Sequence, residues 1–239
     1  MIHLVFLAKT KTPDEWKAVT SAIYTLVDEA TFEATVEGLS FRGMDPSHVA
    51  LIDISWPNSA FDGYECDSAL KFGVRIDEFS RLMKRADKKD AVEVSIEENS
   101  MLRIKILNGY KRDYRMRLIE STGGSTPLPK LNFNSKVILT PASFDKILSD
   151  IEVVSEYISI GSEDKKITFS GKSDYGEADI VIDDGSEGLE ELQVKDKSKA
   201  TYSLDYLSKI TKAISASGGS LVLEYSTKMP LRLEFRVRM

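Results

Sequence analysis

The stretch "IDEFSRLMKRA" at residues 76–86 corresponds, position by position, to "LDYLSKITKAI" at residues 204–214. In both copies apolar side chains recur every three or four residues, which is the spacing of one face of an α-helix. Ile76 begins the first copy and Leu204 begins the second. The two stretches predict amphipathic helices at equivalent places in a duplicated chain.

Two further pairs of segments are separated by the same distance along the chain. "TPDEWKAV", which starts at Thr12, corresponds to "TPASFDKI", which starts at Thr140. "LSFRG" from Leu39 corresponds to "ITFSG" from Ile167. Because one constant offset relates all three pairs, we expect two halves with the same fold.

Each half contains the signals of two helices and several strands. Thr12 is expected to cap the first helix, with Pro13 at its first position. Apolar and polar residues alternate in strand-like segments, and turn-forming residues such as those of "DPS" at 45–47 separate them. The fold class is therefore α+β, with two similar domains that each contain two helices and a largely antiparallel sheet. The expected boundaries are 1–118, a Gly- and Pro-containing connector at 119–132, and 133–239.

Composition excludes several classes of protein. The chain has 239 residues, a net charge of −6 and 42% hydrophobic residues, which is typical of a globular protein. Cys66 is its one cysteine, so neither an internal disulfide nor a multi-thiolate metal site is expected. We find no apolar run long enough for a bilayer and no signal peptide, and we expect a location inside the cell without a membrane partner.

On the predicted helices, the side opposite the apolar residues is basic. The acidic residues are concentrated elsewhere, notably in "DDGSEGLEE" at 183–191. This segregation favours phosphate binding along one surface, although lysines on a helix are also the ordinary solvated face of that helix. The outward basic residues are Lys17, Arg81, Lys84, Lys146, Lys209 and Lys212.

The stretch "GMDPSHVALID" at 43–53 invites a catalytic interpretation, because it combines His48 with Ser47 and two aspartates. A nucleophile and its base must share a hydrogen bond, but Ser47 and His48 are adjacent at the start of a predicted strand, where neighbouring side chains point to opposite faces. We therefore expect no catalytic site and no metal site. A hydrolase or ligand-binding protein on a duplicated α+β fold remains the alternative of a different class.

Several segments together resemble the proliferating cell nuclear antigen family, the sliding clamps of archaeal and eukaryotic DNA replication. They are "LVDEATFEATVEGLSFRGMDPSHVALIDI", "KFGVRIDEFSRLMKRA", "TFSGKSDYGEADIVI" and "PLRLEFRV", in the family's order and across both halves. The archaeal members are the most similar. The resemblance implies a DNA clamp fold, a ring-forming trimer around duplex DNA, a non-enzymatic processivity factor and no cofactor. The basic residues above match family positions that face the DNA.

The resemblance also implies a pocket for short partner peptides that contain a glutamine, an aliphatic residue and paired aromatics. Its implied partners are DNA polymerase, flap endonuclease, DNA ligase and the clamp loader. Family members usually continue beyond "PLRLEFRV" with another strand and a tail, and a chain that ended at Met239 would be expected to bind partners more weakly. By position, the pocket is lined by Met44, His48, Val49, Leu51, Leu128 and Pro230.

Subunit contacts are implied in "RDYRMRLI" and "YGEADIVI", which match edge strands that pair between subunits. The interface predictions are Tyr114, Met116, Ala178 and Ile180. A homotrimer is the first expectation, and a checkpoint-type clamp or one subunit of a heterotrimer is the alternative within the family. The location would be cytoplasmic and nucleoid-associated in an archaeon, or nuclear in a eukaryote.

Overall fold

A computed structural model of the chain describes residues 3–45, 47–48, 50–98, 101–121 and 131–238. These residues fall into two compact units. The first unit takes in 1–42, 54–125 and 237–239, and the second takes in 43–53 and 126–236. The short segment 43–53, which lies early in the sequence, thus belongs to the second unit.

The elements before the connector contain two helices. In chain order they are β1 (Leu4–Thr10), α1 (Asp14–Leu26), β2 (Glu29–Thr35), β3 (Gly38–Met44), β4 (Ala50–Pro57), β5 (Gly63–Cys66), β6 (Leu70–Arg75), α2 (Ile76–Met83), β7 (Ala91–Glu97), β8 (Met101–Asn108) and β9 (Tyr110–Arg117).

The elements after the connector repeat this arrangement. They are β10 (Ser135–Leu139), α3 (Pro141–Glu152), β11 (Tyr157–Glu163), β12 (Lys166–Ser173), β13 (Gly176–Ile182), β14 (Leu189–Val194), β15 (Ser198–Ser203), α4 (Leu204–Ile214), β16 (Gly219–Tyr225) and β17 (Leu231–Val237).

The internal duplication predicted from the sequence is confirmed by the positions of these elements. α2 begins at Ile76 and α4 at Leu204, and the same offset separates the starts of four pairs of strands. The pairs are β2 and β11, β3 and β12, β6 and β15, and β7 and β16. The α+β class with two helices in each similar half is likewise confirmed.

In the first unit, a sheet with the order β5-β1-β7-β8-β9 is antiparallel throughout, and β2 pairs antiparallel with both β3 and β6. Helices α1 and α2 pack together. Their core is aromatic: the ring centroids of Trp16 and Trp56 lie 4.5 Å apart, and those of Trp16 and Phe79 lie 5.7 Å apart. Such buried aromatic clusters contribute much of the hydrophobic stabilisation of a domain.

In the second unit, β13-β12-β11-β15 form an antiparallel sheet, and α3 packs against α4. A second sheet follows the order β14-β10-β16-β17, and the next strand is β4, whose residues 50–53 belong to this unit. The core between helices and strands is almost entirely apolar. It includes Phe144 of α3, whose ring lies 6.0 Å from that of Phe169 on β12.

Two local predictions are wrong. Thr12 does not cap α1: the N-cap is Pro13, without a side-chain cap hydrogen bond, and the helical bonds begin from its carbonyl to the N–H of Lys17 at 2.9 Å. In the second unit, Thr140 does cap α3 by accepting a hydrogen bond from the Ser143 N–H at 3.2 Å. Helix α2 ends at Met83, not Ala86, because the last bonds tighten to three-residue turns such as Ala86 N–H to Met83 O at 3.1 Å.

Candidate functional surfaces

The helices of the first unit carry three of the predicted DNA contacts. Arg81 lies on α2 and Lys84 directly after it, and both side chains are exposed. Asp77, one turn earlier, has its Oδ2 3.7 Å from a terminal guanidinium nitrogen of Arg81, which is a weak surface pair. Lys17 on α1 is half-buried, and its Nζ donates a hydrogen bond to the Ala86 carbonyl at 2.5 Å. In this conformation Lys17 supports the turn after α2, and Arg81 and Lys84 present their charges to solvent.

The helices of the second unit carry the other three. Lys146 on α3 and Lys209 and Lys212 on α4 are exposed. The Nζ of Lys209 lies 2.9 Å from Oδ1 of Asp205, and this hydrogen bond and charge raise the pKa of Lys209. Lys209 therefore stays protonated at neutral pH, with part of its charge matched one helical turn away.

The basic helix faces are not free of acidic groups. The face of α3 also includes exposed Asp150 and Glu152, so positive charge is sparser around Lys146 than the sequence pattern indicated. Ammonium and guanidinium groups attract phosphate oxygens without reading base edges. The six cations can therefore serve sequence-independent contact with a polyanion.

Asp45 organises the segment 43–53. Its side chain is buried, and its carboxylate accepts hydrogen bonds from the backbone N–H groups of Ala50 at 2.7 Å and Ser47 at 3.0 Å. The Asp45 carbonyl also accepts from the His48 N–H at 2.9 Å, and His48 has a φ of 57°. This tight turn ends β3 and directs the chain into β4.

The turn orients the predicted peptide-pocket residues differently from one another. His48 is exposed, Met44 and Pro230 are partly exposed, and Leu51 is 2% exposed within the core. The remaining two predicted residues, Val49 and Leu128, lie outside the described residues. Met44, His48 and Pro230 belong to the same unit and are available at its surface.

An ion-pair network that sequence reasoning missed holds segment 43–53 to β17. The Arg232 Nε donates to Asp53 Oδ2 at 2.9 Å, and a terminal nitrogen of Arg232 donates to Glu224 Oε1 at 2.6 Å. Burial alone would lower the pKa of Arg232, but Asp53 and Glu224, with Glu234, raise it. The alternation of charges along "PLRLEFRV" is visible in the sequence, whereas the distant partner Asp53 is not.

The four predicted interface residues all lie on strands at the edges of sheets. β9 is the last strand of β5-β1-β7-β8-β9, and β13 is the first of β13-β12-β11-β15. Tyr114 pairs with buried Ile104, and Ile180 pairs with buried Phe169. Since paired residues share a face of the sheet, Tyr114 and Ile180 point to the core side of their edge strands. The same alternation puts Met116 and Ala178 on those sides.

The opposite faces of the two edge strands carry opposite charge. On β13 this face has Glu177 and Asp179, both exposed. On β9 one acid accompanies three cations, and Arg103 lowers the pKa of that acid, Asp113, to about 2 through hydrogen bonds and charge, although its burial opposes the shift. The outward residues of β9 are Lys111, Asp113, Arg115 and Arg117. The two edges are thus complementary, basic on β9 and acidic on β13.

Metal centres and membrane spans are the other kinds of site that this chain could carry. In the parts of the chain that the structure describes, no group of three or more His, Cys, Asp or Glu side chains is arranged to hold a metal ion. Within the same residues, every helix is too short or too polar to cross a membrane.

The comparison with known families is decisive for the fold. Residues 5–120 match "Proliferating cell nuclear antigen, N-terminal domain", and residues 127–239 match "Proliferating cell nuclear antigen, C-terminal domain". The chain belongs to the proliferating cell nuclear antigen family. The resemblance predicted from sequence segments is therefore confirmed along nearly the whole chain.

Individual members of the proliferating cell nuclear antigen family agree with this assignment. The DNA polymerase sliding clamp of Nitrosopumilus maritimus is 57% identical over 234 residues, covering 98% of this chain and 94% of the relative. That of Cenarchaeum symbiosum is 54% identical with the same coverage. A solved structure of the PCNA2-PCNA3 complex from Sulfolobus tokodaii has a TM-score of 0.84 and 26% identity, covering 95% of this chain and 92% of that chain.

This member of the proliferating cell nuclear antigen family also exposes apolar side chains beside both edge strands, which sequence reasoning missed. Tyr110, at the start of β9, is 73% exposed, and Tyr175, in the turn before β13, is 97% exposed. Val153, after α3, is 81% exposed. The signal was a bulky side chain within a turn, as in "SDYGE" at 173–177, where polar residues are usual.

Proposed function

We propose that this chain is a sliding clamp that encircles duplex DNA and tethers DNA polymerase, acting as a non-enzymatic processivity factor. The observation that carries the proposal is the family match from residue 5 to residue 239, together with relatives at 57% and 54% identity that are DNA polymerase sliding clamps. The functional division into 1–118, a connector at 119–132 and 133–239 belongs to the proposal, and the two matched family domains support it.

In the proposed ring, the helices face the DNA and their cations contact phosphates. Arg81, Lys84, Lys209 and Lys212 are the principal contacts, since they are exposed, while Lys146 and Lys17 contribute beside them. Each neutralised phosphate releases counterions, so these contacts weaken with salt and are indifferent to base sequence. Weak, uniform contacts permit sliding, while closure of the ring prevents escape.

Three copies close the ring head to tail, with β9 of one copy beside β13 of the next. Edge strands have unpaired backbone groups, and pairing between copies satisfies them. The core-side residues Tyr114 and Met116 then lie beside Ala178 and Ile180, and the basic outward face of β9 lies beside the acidic face of β13. Apolar and charged rows are thereby matched simultaneously.

Partner proteins bind through short peptides at the surface that includes Met44, His48 and Pro230, completed by Val49, Leu51 and Leu128. A small apolar pocket with polar groups at its rim suits aromatic anchors. DNA polymerase, flap endonuclease, DNA ligase and the clamp loader are the proposed partners. The archaeal relatives support a location in the cytoplasm at the nucleoid.

The ring is tested by topology. The protein is assembled on nicked circular duplex DNA with a clamp loader, and bound protein is measured by gel filtration before and after the circle is cut once. We expect retention on the circle and loss from the linear form, because a ring that holds DNA only by closure slides off an end. Blocking both ends with bulky groups is the control and restores retention. Equal retention on open linear and circular DNA would reject the clamp.

The alternative is a subunit of a heterotrimeric clamp, which the PCNA2-PCNA3 complex from Sulfolobus tokodaii keeps open. The two complementary edges within one chain favour self-assembly instead. A chain that stayed monomeric alone but formed a ring with related subunits would support the heterotrimer.

A further inference from the structure

The turn after α2 is the most concentrated group of cations among the described helix ends. We call residues 84–90 the basic turn. Its exposed side chains include one acid, Asp87, so the outward charge is positive, while Asp90 is turned inward and buried. The exposed cations of the basic turn are Lys84, Arg85, Lys88 and Lys89.

The basic turn is held in one conformation by contacts from two other elements. Arg112 of β9 donates to the Arg85 carbonyl at 2.9 Å and makes a close ion pair with Asp90. Lys17 of α1 donates to the Ala86 carbonyl. These bonds use backbone oxygens and the buried carboxylate, and they leave the four exposed cations outside the network.

Asp90 closes the turn from within. Its carboxylate accepts from the Asp87 N–H at 2.7 Å, and its own N–H donates to the Asp87 carbonyl at 2.8 Å. Burial would raise the pKa of Asp90, but the bonds from Asp87, Asn108 and Arg112 lower it. Its negative charge is therefore matched inside the protein and does not offset the exposed cations.

The second unit has no counterpart to this cluster in the equivalent stretch. At the offset that relates α2 to α4, Arg85, Lys88 and Lys89 correspond to Ala213, Ala216 and Ser217. Lys84 alone has a basic equivalent, at Lys212. Because the same fold forms without these cations, the fold itself does not require them.

We propose that the basic turn is an additional phosphate-binding site for duplex DNA, through Arg85, Lys88 and Lys89. The inference rests on the proposed clamp function and extends it: each copy contacts the DNA backbone unevenly, more strongly with its first unit. The cations continue the row of Arg81 and Lys84 beyond the end of α2. A pre-formed turn loses little conformational freedom on binding, which favours contact.

The test measures binding of a fluorescein-labelled linear duplex over a range of salt concentrations by fluorescence anisotropy. Linear DNA reports direct contacts because it is not trapped topologically. The variant is Lys88→Ala/Lys89→Ala, whose side chains take no part in the network that holds the turn. If both contact phosphates, the slope of log K against log salt becomes shallower by roughly 2, about 0.9 for each phosphate that is no longer neutralised.

The matched control is Lys195→Ala/Lys199→Ala, which removes two exposed lysines of the second unit away from the helices. We expect its slope to equal that of the unchanged protein. Solution mass is measured for each variant, so a change in assembly is detected separately. A turn variant that behaves like the control overturns the inference, as does one that loses only a protein partner.

A third variant separates this inference from the clamp proposal. Lys209→Ala/Lys212→Ala removes two of the proposed helix contacts in the second unit. If it weakens DNA binding while the basic-turn variant does not, the clamp function stands and the basic turn is not a contact. If neither variant changes the slope, the proposed DNA-facing role of the helices fails as well.

Discussion

Asp45 shows how one buried carboxylate shapes a surface used for recognition. Its two hydrogen bonds to the backbone N–H groups of Ser47 and Ala50 determine how the chain leaves β3 and enters β4. Met44 and His48 are positioned by the same turn. A residue that resembles part of a catalytic group in the sequence thus has a structural task, which supports peptide binding without contacting the peptide.

We expect Asp45→Ala to lower the free energy of unfolding by about 2 kcal/mol, because two buried N–H groups lose their acceptor. Urea denaturation followed by circular dichroism measures this loss. A fluorescent peptide with a glutamine, an aliphatic residue and two aromatics should bind the folded variant several-fold more weakly. Asp67→Ala, at an exposed aspartate, is the control and should change neither quantity. Unchanged stability in Asp45→Ala would contradict the role given to its carboxylate.

At the scale of elements, β9 and β13 matter most because each is an edge with one apolar and one charged face. Like charges placed side by side across paired strands are destabilising, and opposite charges add roughly 0.2–1 kcal/mol per pair. The charge on each edge therefore contributes to the choice of partner strand. The hydrophobic row alone would tolerate several partners.

We expect Glu177→Lys/Asp179→Lys to weaken the contact between copies about ten-fold or more in dissociation constant, measured by analytical ultracentrifugation. Adding Arg115→Glu/Arg117→Glu in the same chain reverses both edges and should restore assembly. Asp184→Lys/Glu187→Lys changes the charge equally on the acidic loop after β13 and should leave assembly intact. Failure of the four-fold variant to recover would argue against pairing of these two faces.

Elements differ in how far the sequence predicts them. The starts of α2 and α4 at Ile76 and Leu204 follow from helical periodicity, which is a local property. The sequence pattern around 183–191 indicates an acidic loop because "LEELQV" does not alternate clearly, and the strand form of β14 comes from pairing with β10. The cations on the helices are identifiable one by one, but the bond between Lys17 and the Ala86 carbonyl depends on how α1 packs beside α2.

For the whole molecule, assembly and stability are linked. If the folded form is a trimer, mass action makes its stability rise with protein concentration. We expect light scattering to give about 80 kDa at high concentration, three times the 26.7 kDa of one chain, and a lower mass on dilution. The melting temperature should rise over the same range, but not for Glu177→Lys/Asp179→Lys. A solution mass that stayed at the value of one chain at every concentration would contradict self-assembly.

The aromatic core of the first unit has a practical consequence for spectroscopy. The chain has two tryptophans, Trp16 and Trp56, and both are buried in contact with each other in that unit. Indole emission therefore reports on the surroundings of one half of a duplicated protein. The other half contributes tyrosine but no tryptophan signal. Comparing indole emission with far-ultraviolet circular dichroism, which records both halves, distinguishes concerted from stepwise loss of structure without any added label.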